Sequence, residues 1–370
     1  MRKTLWLTVS LAVAFPSAIA TAQDNQTAAA AAVSVAASPS DDAIRSMIAR
    51  YVDKGEAKGI VVGILEPDGR RRYVSYGSGG GGAAPLGPDS VFEIGSLNKT
   101  FTASVLADMV RRGEVGLDDP ISKYLPASVR VPSRNGKAIT LRHLATHMSG
   151  LPRLPEGYVP PRADNPYADY KETQLYAFLN RYQLVRDPGE KMEYSNLGAG
   201  LLGHVLARAA KAKDFKTLVQ TRILNPLKMT STRFGPTPRL VAGHDKEGRE
   251  VTHWDVAVLS GAGGLNASAR DMLAFIDANV GPAETRIEKS LRIAHQPNVI
   301  DASTGRKAGL AWSIRERDGR TLLTHSGGTA GFRSFMVIEP KRNTGVVVLT
   351  NSGGFDGVDN IAAKIMFPPR

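Results

Sequence analysis

Short strand-like segments occur near both ends of this chain, and a long stretch of mainly helical periodicity separates them. Near the amino end, residues 59–65 and 71–76 are β-rich runs joined by a Pro-Asp-Gly turn, which predicts a hairpin. Near the carboxyl end, the runs 310–315, 321–324, 332–338 and 345–350 alternate with Gly, Asp and Pro turns, which predicts an antiparallel meander. We therefore expect a fold of the α/β (α+β) class. In it, an antiparallel sheet is built from amino- and carboxyl-terminal segments, flanked by helices, with a large all-helical lobe of about residues 100–300 inserted.

The amino terminus has the pattern of an export signal. Arg2 and Lys3 precede an apolar run over residues 4–15, which is too short to span a bilayer of roughly 30 Å as a helix. Small residues form two overlapping Ala-x-Ala cleavage sites, so the mature chain is expected to begin near Thr21 or Gln23. The pattern predicts a signal peptide over 1–22, a periplasmic or secreted protein, and no membrane span once the signal is removed.

The rest of the chain is predicted to be one domain after a short leader. Residues 23–40 are mostly Ala, Ser, Gln and Thr, a composition that buries too little apolar surface to order itself. From Asp41, the spacing of Ile44, Ile48 and Tyr51 predicts an amphipathic helix with Ser40 or Asp41 as its N-cap. We expect a flexible leader over 23–40 and a single domain over 41–370 that acts as a monomer.

Composition narrows the possible partners. The chain has no cysteine, which excludes a disulfide and a thiol nucleophile. Its formal net charge is +12, but Lys and Arg are interspersed with Asp and Glu and form no dense basic stripe, so nucleic-acid binding is not expected. The expected partner is a small-molecule, peptide or peptidoglycan-derived substrate.

Ser96 and Lys99 are the first candidate catalytic residues. They lie three positions apart where a loop leads into an apolar helical run, and residues three apart share one face of a helix. A serine hydroxyl is a weak nucleophile until a base removes its proton, and a lysine serves as that base only if burial or positive charge lowers its pKa. Ser-x-x-Lys by itself is a common pattern, so its meaning depends on the other motifs.

Tyr194 and Asn196 form the second candidate group. They flank one residue in a segment that enters a helix, so both side chains are able to point toward one cleft. A tyrosine relays a proton if a nearby lysine lowers its pKa, and an asparagine can hold both a substrate amide and the lysine. We take Tyr194 as a candidate catalytic residue and Asn196 as a substrate-binding one.

A third group, His325, Ser326, Gly327 and Gly328, follows a short strand-like run. Glycines let a backbone approach a ligand closely, and a strand N–H near Gly328 could pair with the N–H of Ser96 to form an oxyanion hole. His325 and Ser326 would then line the same wall of the cleft. Without the other two groups, a strand ending in a turn explains this run equally well.

Other chemistries have no matching pattern. A Gly-x-Ser-x-Gly elbow is absent, which argues against a Ser-His-Asp triad on an α/β-hydrolase fold. His143 and His147 have a helical zinc spacing but lack a glutamate after the first histidine and a third ligand at a telling distance. We therefore expect no metal site and no cofactor.

Five ordered segments of the chain resemble the serine hydrolases that include class C β-lactamases, D-alanyl-D-alanine carboxypeptidases, D-aminopeptidases and related esterases. The segments are Phe92–Phe101, Ile139–Leu151, Pro188–Gly198, Gly261–Leu265 and His325–Gly328. The resemblance implies a β-lactamase/transpeptidase-like fold with an acyl-enzyme on Ser96. It also implies that Lys99 and Tyr194 share proton transfer, that Asn196 orients the substrate, and that the Ser96 and Gly328 amides hold the oxyanion. Which of the lysine and the tyrosine is the base stays open.

One departure from the family pattern concerns substrate choice. The β-lactamase members have Lys-Thr-Gly where this chain has His325-Ser326-Gly327, a form that looks more like the peptidase, aminopeptidase and esterase branches. A histidine of ordinary pKa is mostly neutral at pH 7, which weakens the attraction for a substrate carboxylate, and acidification toward pH 6 should restore it. We expect hydrolysis of an amide or ester of D-amino-acid type. The alternatives are a class C-like β-lactamase and a penicillin-binding sensor that acylates without turnover.

Overall fold

Both ends of the chain contribute to one eight-stranded antiparallel sheet. The computed structural model describes residues 38–82 and 85–368, so the predicted signal peptide and the leader up to residue 37 lie outside it. The described strands are β1 (Gly59–Leu65), β2 (Arg71–Gly77), β3 (Val91–Glu93), β4 (Ser133–Arg134), β5 (Lys137–Ala138), β6 (Arg233–Phe234), β7 (Gly243–His244), β8 (Glu250–Val251), β9 (Leu265–Ser268), β10 (Val299–Ile300), β11 (Lys307–Ala308), β12 (Ser313–Arg317), β13 (Arg320–Gly328), β14 (Arg333–Glu339) and β15 (Thr344–Thr350). The sheet order is β10-β11-β12-β13-β14-β15-β1-β2.

Helices cover the sheet and also occur along the chain between its amino-terminal and carboxyl-terminal strands. The described helices are α1 (Asp41–Asp53), α2 (Asn98–Arg111), α3 (Leu141–Ala145), α4 (Glu172–Arg181), α5 (Asn196–Ala209), α6 (Phe215–Val219), α7 (Ala269–Val280), α8 (Arg286–His295) and α9 (Val358–Met366). The predicted first helix is confirmed, and the Ser40 side chain caps it by accepting the N–H of Ala43.

The predicted hairpin and meander are confirmed. β1 pairs with β2 on one side and with β15 on the other, so the amino-terminal hairpin completes a sheet begun by the carboxyl-terminal strands. Every residue of β1 and β15 is buried because helices cover both faces. Ile60 and Val62 pack in the cluster formed with α1 and α9, whereas Val61 belongs to the cluster that includes α7.

α2 is the central helix of the inserted region. Its residues from Asn98 to Met109 are all buried, as expected for a helix surrounded by protein. It packs against α5 and α8. Residues Gly95–Leu97, which precede α2, contact β13 and β14, so the start of this buried helix lies at the boundary between the eight-stranded sheet and the inserted helices.

Two features of the fold were not predicted from the sequence. The inserted region also contains six strands of two to four residues each, β4 to β9, which are too short to produce an alternating pattern. In addition, β13 continues through Gly327 and Gly328, whereas the sequence predicts a turn at these glycines. These glycines pair with Ser334 and Arg333 of β14 in regular register. Among the described helices, none has the length and apolar character needed to cross a membrane.

Candidate active site

Ser96 lies in a tight turn between β3 and α2. Residues Gly95–Leu97 form a single 3-10 turn, and α2 begins at the next residue. Gly95 has a φ of +52°, and a Cβ there would lie 2.5 Å from the backbone nitrogen of Gly328. Glycine is therefore required at this turn for both backbone conformation and space, and the turn holds Ser96 against the end of β13.

Lys99 reaches Ser96 from the first turn of α2. Its Nζ is 2.9 Å from Ser96 Oγ, 2.9 Å from Asn196 Oδ1 and 2.9 Å from the carbonyl oxygen of Ala262. The side chain is only 2% exposed and forms no ion pair with any described residue. Burial, with a further contribution from the charge of Arg153, lowers the pKa of Lys99 well below its usual value.

Tyr194 and Asn196 enter the site from the start of α5. Ser195 is the N-cap of α5, and its hydroxyl accepts the N–H of Gly198 at 2.8 Å and donates to the carbonyl of Pro152 at 2.7 Å. This capping fixes the two flanking residues. The Tyr194 ring centroid is then 4.8 Å from Lys99 Nζ.

The sequence suggests that a neighbouring lysine lowers the pKa of Tyr194, but in the structure this pKa lies above its usual value. Burial raises the pKa of this phenol, and a hydrogen bond with Ser96 and the charge of Arg153 act in the opposite direction without overcoming it. Tyr194 is therefore a protonated phenol at neutral pH.

β13 forms the opposite wall of the site. A Cβ on Gly327 would lie 2.1 Å from the carbonyl oxygen of Ile94 and 3.1 Å from the backbone nitrogen of Ser96. The Ser334 hydroxyl on β14 donates to the same Ile94 carbonyl at 2.8 Å. The backbone of β13 can lie this close to the serine turn because Gly327 has no side chain.

His325 lines the cleft as predicted, but its electrostatics differ from the prediction. The Nδ1 of His325 donates a hydrogen bond to the backbone carbonyl of Ser326 at 2.7 Å. In the neutral ring, Nε2 is then an acceptor. Burial and the nearby Lys99 lower the pKa of His325 to about 4. The expectation that acidification to pH 6 would protonate it is therefore wrong, since the ring stays neutral at that pH.

The predicted residues meet in one place. A cleft of about 790 Å³ is lined by Ser96, Tyr194, His325, Ser326, Gly327 and Gly328, among others. Asn196 borders a narrower pocket of about 40 Å³ beside Ser96, together with Tyr167 and Trp254. The remaining predicted residue, Lys99, lies beneath Ser96.

Arg153 is a residue of the site that sequence reasoning missed. It is exposed, lines the cleft with Ser96, and its guanidinium carbon is 5.2 Å from the Tyr194 ring centroid. Its backbone carbonyl accepts the N–H groups of Asn196 and Leu197 at 3.0 and 3.1 Å, and this tie brings a loop residue to the site. No local spacing relates Arg153 to those residues, so the sequence had no signal for it.

The two histidines considered for zinc have separate structural contacts. His143 Nδ1 accepts the N–H of Thr140 at the start of α3, and His147 Nδ1 accepts the N–H of Ser195 at 3.2 Å. His147 therefore hydrogen-bonds within the fold, at the residue that caps α5. Within residues 38–82 and 85–368, no group of three His, Asp or Glu side chains is arranged to hold a metal ion.

Comparison with known proteins places this geometry in a family. A family model described as Beta-lactamase matches residues 44–366. D-alanyl-D-alanine-carboxypeptidase/endopeptidase AmpH of Escherichia coli K12 is 30% identical over 351 residues, which cover 86% of this chain and 89% of the relative. A β-lactamase of Lysobacter lactamgenus is 26% identical over 369 residues, covering 90% of this chain and 92% of that protein.

Solved structures give the same result for the fold. A β-lactamase/D-alanine carboxypeptidase from Yersinia pestis, crystallised with citrate, has a TM-score of 0.72 and 25% identity and covers 88% of this chain and 99% of its own. A protein of the same description from Pseudomonas syringae has a TM-score of 0.77 at 22% identity, over 89% of this chain and 99% of its own. The chain therefore belongs to the β-lactamase family and is a serine hydrolase, an enzyme that acts on amide or ester substrates.

Proposed function

We propose that this enzyme is an exported hydrolase of D-amino-acid peptides or esters that forms an acyl-enzyme on Ser96. The observation that carries the proposal is the buried Lys99 amine, 2.9 Å from Ser96 Oγ and without an acidic partner among the described residues. Burying an amine in this way costs folding free energy, so a lysine in such a place is typical of a functional site.

The hydrogen bonds of Lys99 support its role as the base. A neutral amine has two N–H groups and one lone pair. The oxygens of Asn196 and Ala262 can only accept hydrogen bonds, so they take the two N–H groups. The lone pair is then left for the hydroxyl proton of Ser96, which is what a general base requires.

Tyr194 is better suited to donate a proton than to remove one. Because burial raises its pKa, its phenol is protonated before the reaction begins. We assign it to proton delivery to the leaving group, with Lys99 returning the proton that it took from Ser96. Lys99 is thus assigned as the base and Tyr194 as the proton donor, a choice that the sequence left open.

The proposed steps balance as follows. Lys99 takes the Ser96 proton while Oγ bonds to the substrate carbonyl carbon, whose π electrons move onto the carbonyl oxygen. The N–H groups of Ser96 and Gly328 stabilise that oxyanion. The bond to the leaving nitrogen or oxygen then breaks, the leaving atom takes the Tyr194 proton, and Lys99 reprotonates Tyr194. In deacylation, water loses a proton to Lys99 as its oxygen bonds to the acyl carbon; the carbonyl then re-forms, the bond to Ser96 Oγ breaks, Lys99 returns the proton to Oγ, and the acid is released.

The substrate class rests on two observations. The relative named as a D-alanyl-D-alanine carboxypeptidase/endopeptidase matches most of the chain, which supports a D-amino-acid peptide. A neutral His325 in place of a lysine supports a preference over β-lactams. We assign Asn196 to the substrate amide, and His325 and Ser326 to the cleft wall beside it.

The test is one substrate panel on one preparation, with Ser96→Ala as the variant and Ser313→Ala as its control. Ser313 is an exposed serine on the same cleft, and within the described part of the chain its hydroxyl makes no hydrogen bond to a lysine. We expect Ser96→Ala to lose turnover of p-nitrophenyl esters and D-Ala-D-Ala peptides and to lose fluorophosphonate labelling, while Ser313→Ala keeps both.

Each other outcome has a definite meaning. Labelling that persists in Ser96→Ala would reject Ser96 as the nucleophile. Turnover of nitrocefin as fast as that of the esters would identify a β-lactamase instead. Stable labelling by a β-lactam with no product release from any substrate would identify a sensor.

A further inference from the structure

A carboxylate-bearing substrate needs a cation in the cleft, and His325 does not provide one. Three arginines line the cleft around Ser96: Arg153, Arg315 and Arg333. Lys99 is buried beneath the serine and, in the proposed function, is occupied as the base. The question is which arginine is placed to receive a negative charge.

Arg333 is already engaged. Its Nη1 donates to the carbonyls of Thr329 and Phe332 at 2.9 and 3.1 Å, and its Nε lies 3.7 Å from a carboxylate oxygen of Asp356. A substrate carboxylate would have to compete with these groups. Arg333 therefore presents a largely neutralised guanidinium.

Arg153 is uncommitted and close to the reacting groups. Its guanidinium forms no hydrogen bond or ion pair with other residues in the described part of the chain. Its backbone is nevertheless fixed, because its carbonyl accepts two N–H groups at the start of α5. Its charge acts on Lys99 and on Tyr194, which shows that it lies within electrostatic reach of both.

The position of Arg153 also indicates which end of a substrate it meets. It lies over the ring of Tyr194, and Tyr194 is the residue assigned to protonate the leaving group. A carboxylate on the leaving group would therefore come to the Arg153 side of the cleft. The planar guanidinium fork matches a carboxylate with two parallel hydrogen bonds.

We propose that Arg153 binds the carboxylate of the substrate's leaving group and so determines the specificity of the enzyme for acyl donors that end in a free carboxylate. The proposal rests on the proposed function at Ser96. It gives Arg153 the role that a neutral His325 leaves empty. Arg315, which is exposed and also without an ion pair among the described residues, is the matched control.

The experiment uses the full enzyme and two thioesters that differ in one charge: an N-acyl-glycyl thioglycolate and its methyl ester. Thiol release gives kcat/KM for each at pH 7.5. We expect the wild type to prefer the free carboxylate, and Arg153→Gln to reduce that preference about 10- to 100-fold, the size of a lost charge-assisted hydrogen bond. Arg153→Lys keeps the charge but not the planar fork, so it should keep only part of the preference, and Arg315→Gln should leave it unchanged.

The opposing outcomes are separate from those of the proposed function. Three results would each overturn the assignment of Arg153. The first is that the wild type shows no preference, and the second is that Arg153→Lys and Arg153→Gln lose the preference equally. The third is a loss in Arg315→Gln or Arg333→Gln with none in Arg153→Gln. Fluorophosphonate labelling of every variant reports whether Ser96 still reacts. Labelling retained with an unchanged preference rejects Arg153 alone, whereas labelling of Ser96→Ala rejects the proposed function.

Discussion

At the scale of single residues, burial decides which groups carry charge in the site. Lys99, His147 and His325 are close enough to affect one another, and burial lowers the pKa of all three. The same burial raises the pKa of Tyr194. Burial therefore favours the uncharged forms of the groups in the inner site, including the Lys99 amine beside Ser96. Arg153, by contrast, is exposed at the rim, where a substrate first meets the cleft.

This distribution of charge predicts a flat pH response of substrate preference. Because the pKa of His325 is about 4, lowering the pH from 7.5 to 6 does not charge it. The ratio of kcat/KM for a carboxylate substrate to that for its neutral ester should stay within about twofold over this range. The measurement is the pair of kcat/KM profiles from pH 7.5 to 6.

The variant His325→Lys supplies the comparison. A fixed charge at position 325 should raise kcat/KM at pH 7.5 for carboxylate-bearing substrates and leave neutral esters without a gain. If the wild-type ratio instead rises severalfold between pH 7.5 and 6, His325 titrates near its ordinary pKa, and the burial argument is incorrect.

At the scale of elements, the close contact between β13 and the serine turn depends on glycine. A Cβ on Gly327 would meet the carbonyl oxygen of Ile94 at 2.1 Å and Ser334 Oγ at 2.4 Å. The Ile94 oxygen is backbone and cannot rotate away, so β13 would have to shift outward. Such a shift would carry the Gly328 N–H away from Ser96.

Gly327→Ala should therefore lower kcat strongly and have a smaller effect on the melting temperature. Removing one oxyanion donor costs about 100- to 1000-fold in kcat in serine hydrolases, and we expect a loss of this order. Ester turnover and the melting temperature should be measured together. Gly87→Ala is the matched control, since nothing lies within 4 Å of a Cβ at Gly87. Near-normal kcat in Gly327→Ala would mean that the β13 backbone does not contribute to catalysis.

At the scale of the whole molecule, the amino-terminal hairpin closes a sheet begun at the other end of the chain. β1 lies between β15 and β2, and both of its faces are covered by helices, so β1 belongs to the core. The predicted signal peptide and the leader up to residue 37 precede α1 and lie outside the described residues. Cleavage before Thr21 or Gln23 would remove the signal peptide and leave the leader, α1 and every described strand in the mature chain.

We therefore expect export with cleavage near Thr21 or Gln23 and a folded, active mature chain. The basic start, short apolar run and Ala-x-Ala sites carry this prediction. Amino-terminal sequencing of protein from the periplasm or medium checks it, with activity measured on the same fraction. Recovery of the active enzyme only from the cytoplasm and beginning at Met1 would contradict it.

The parts of this protein that depend on local geometry could be predicted from the sequence alone. Ser96 and Lys99 are three residues apart, and the 3-10 turn at Gly95–Leu97 that leads into α2 brings Nζ to Oγ through local backbone geometry. The Pro-Asp-Gly turn determined the first hairpin, and the alternating runs determined the meander, because strand period and turn chemistry act over a few residues. Ordered motifs also indicated the family.

The contacts that join distant parts of the chain, and the pKa values that result from them, could be read only from the folded structure. Asn196 and the Ala262 carbonyl reach Lys99 from 97 and 163 residues away, and Arg153 is brought to Tyr194 by backbone hydrogen bonds to α5. The low pKa of His325 arises from burial, which no local pattern encodes. Charge in the site depends on which surfaces the whole fold removes from water, and that is settled when the distant segments pack together.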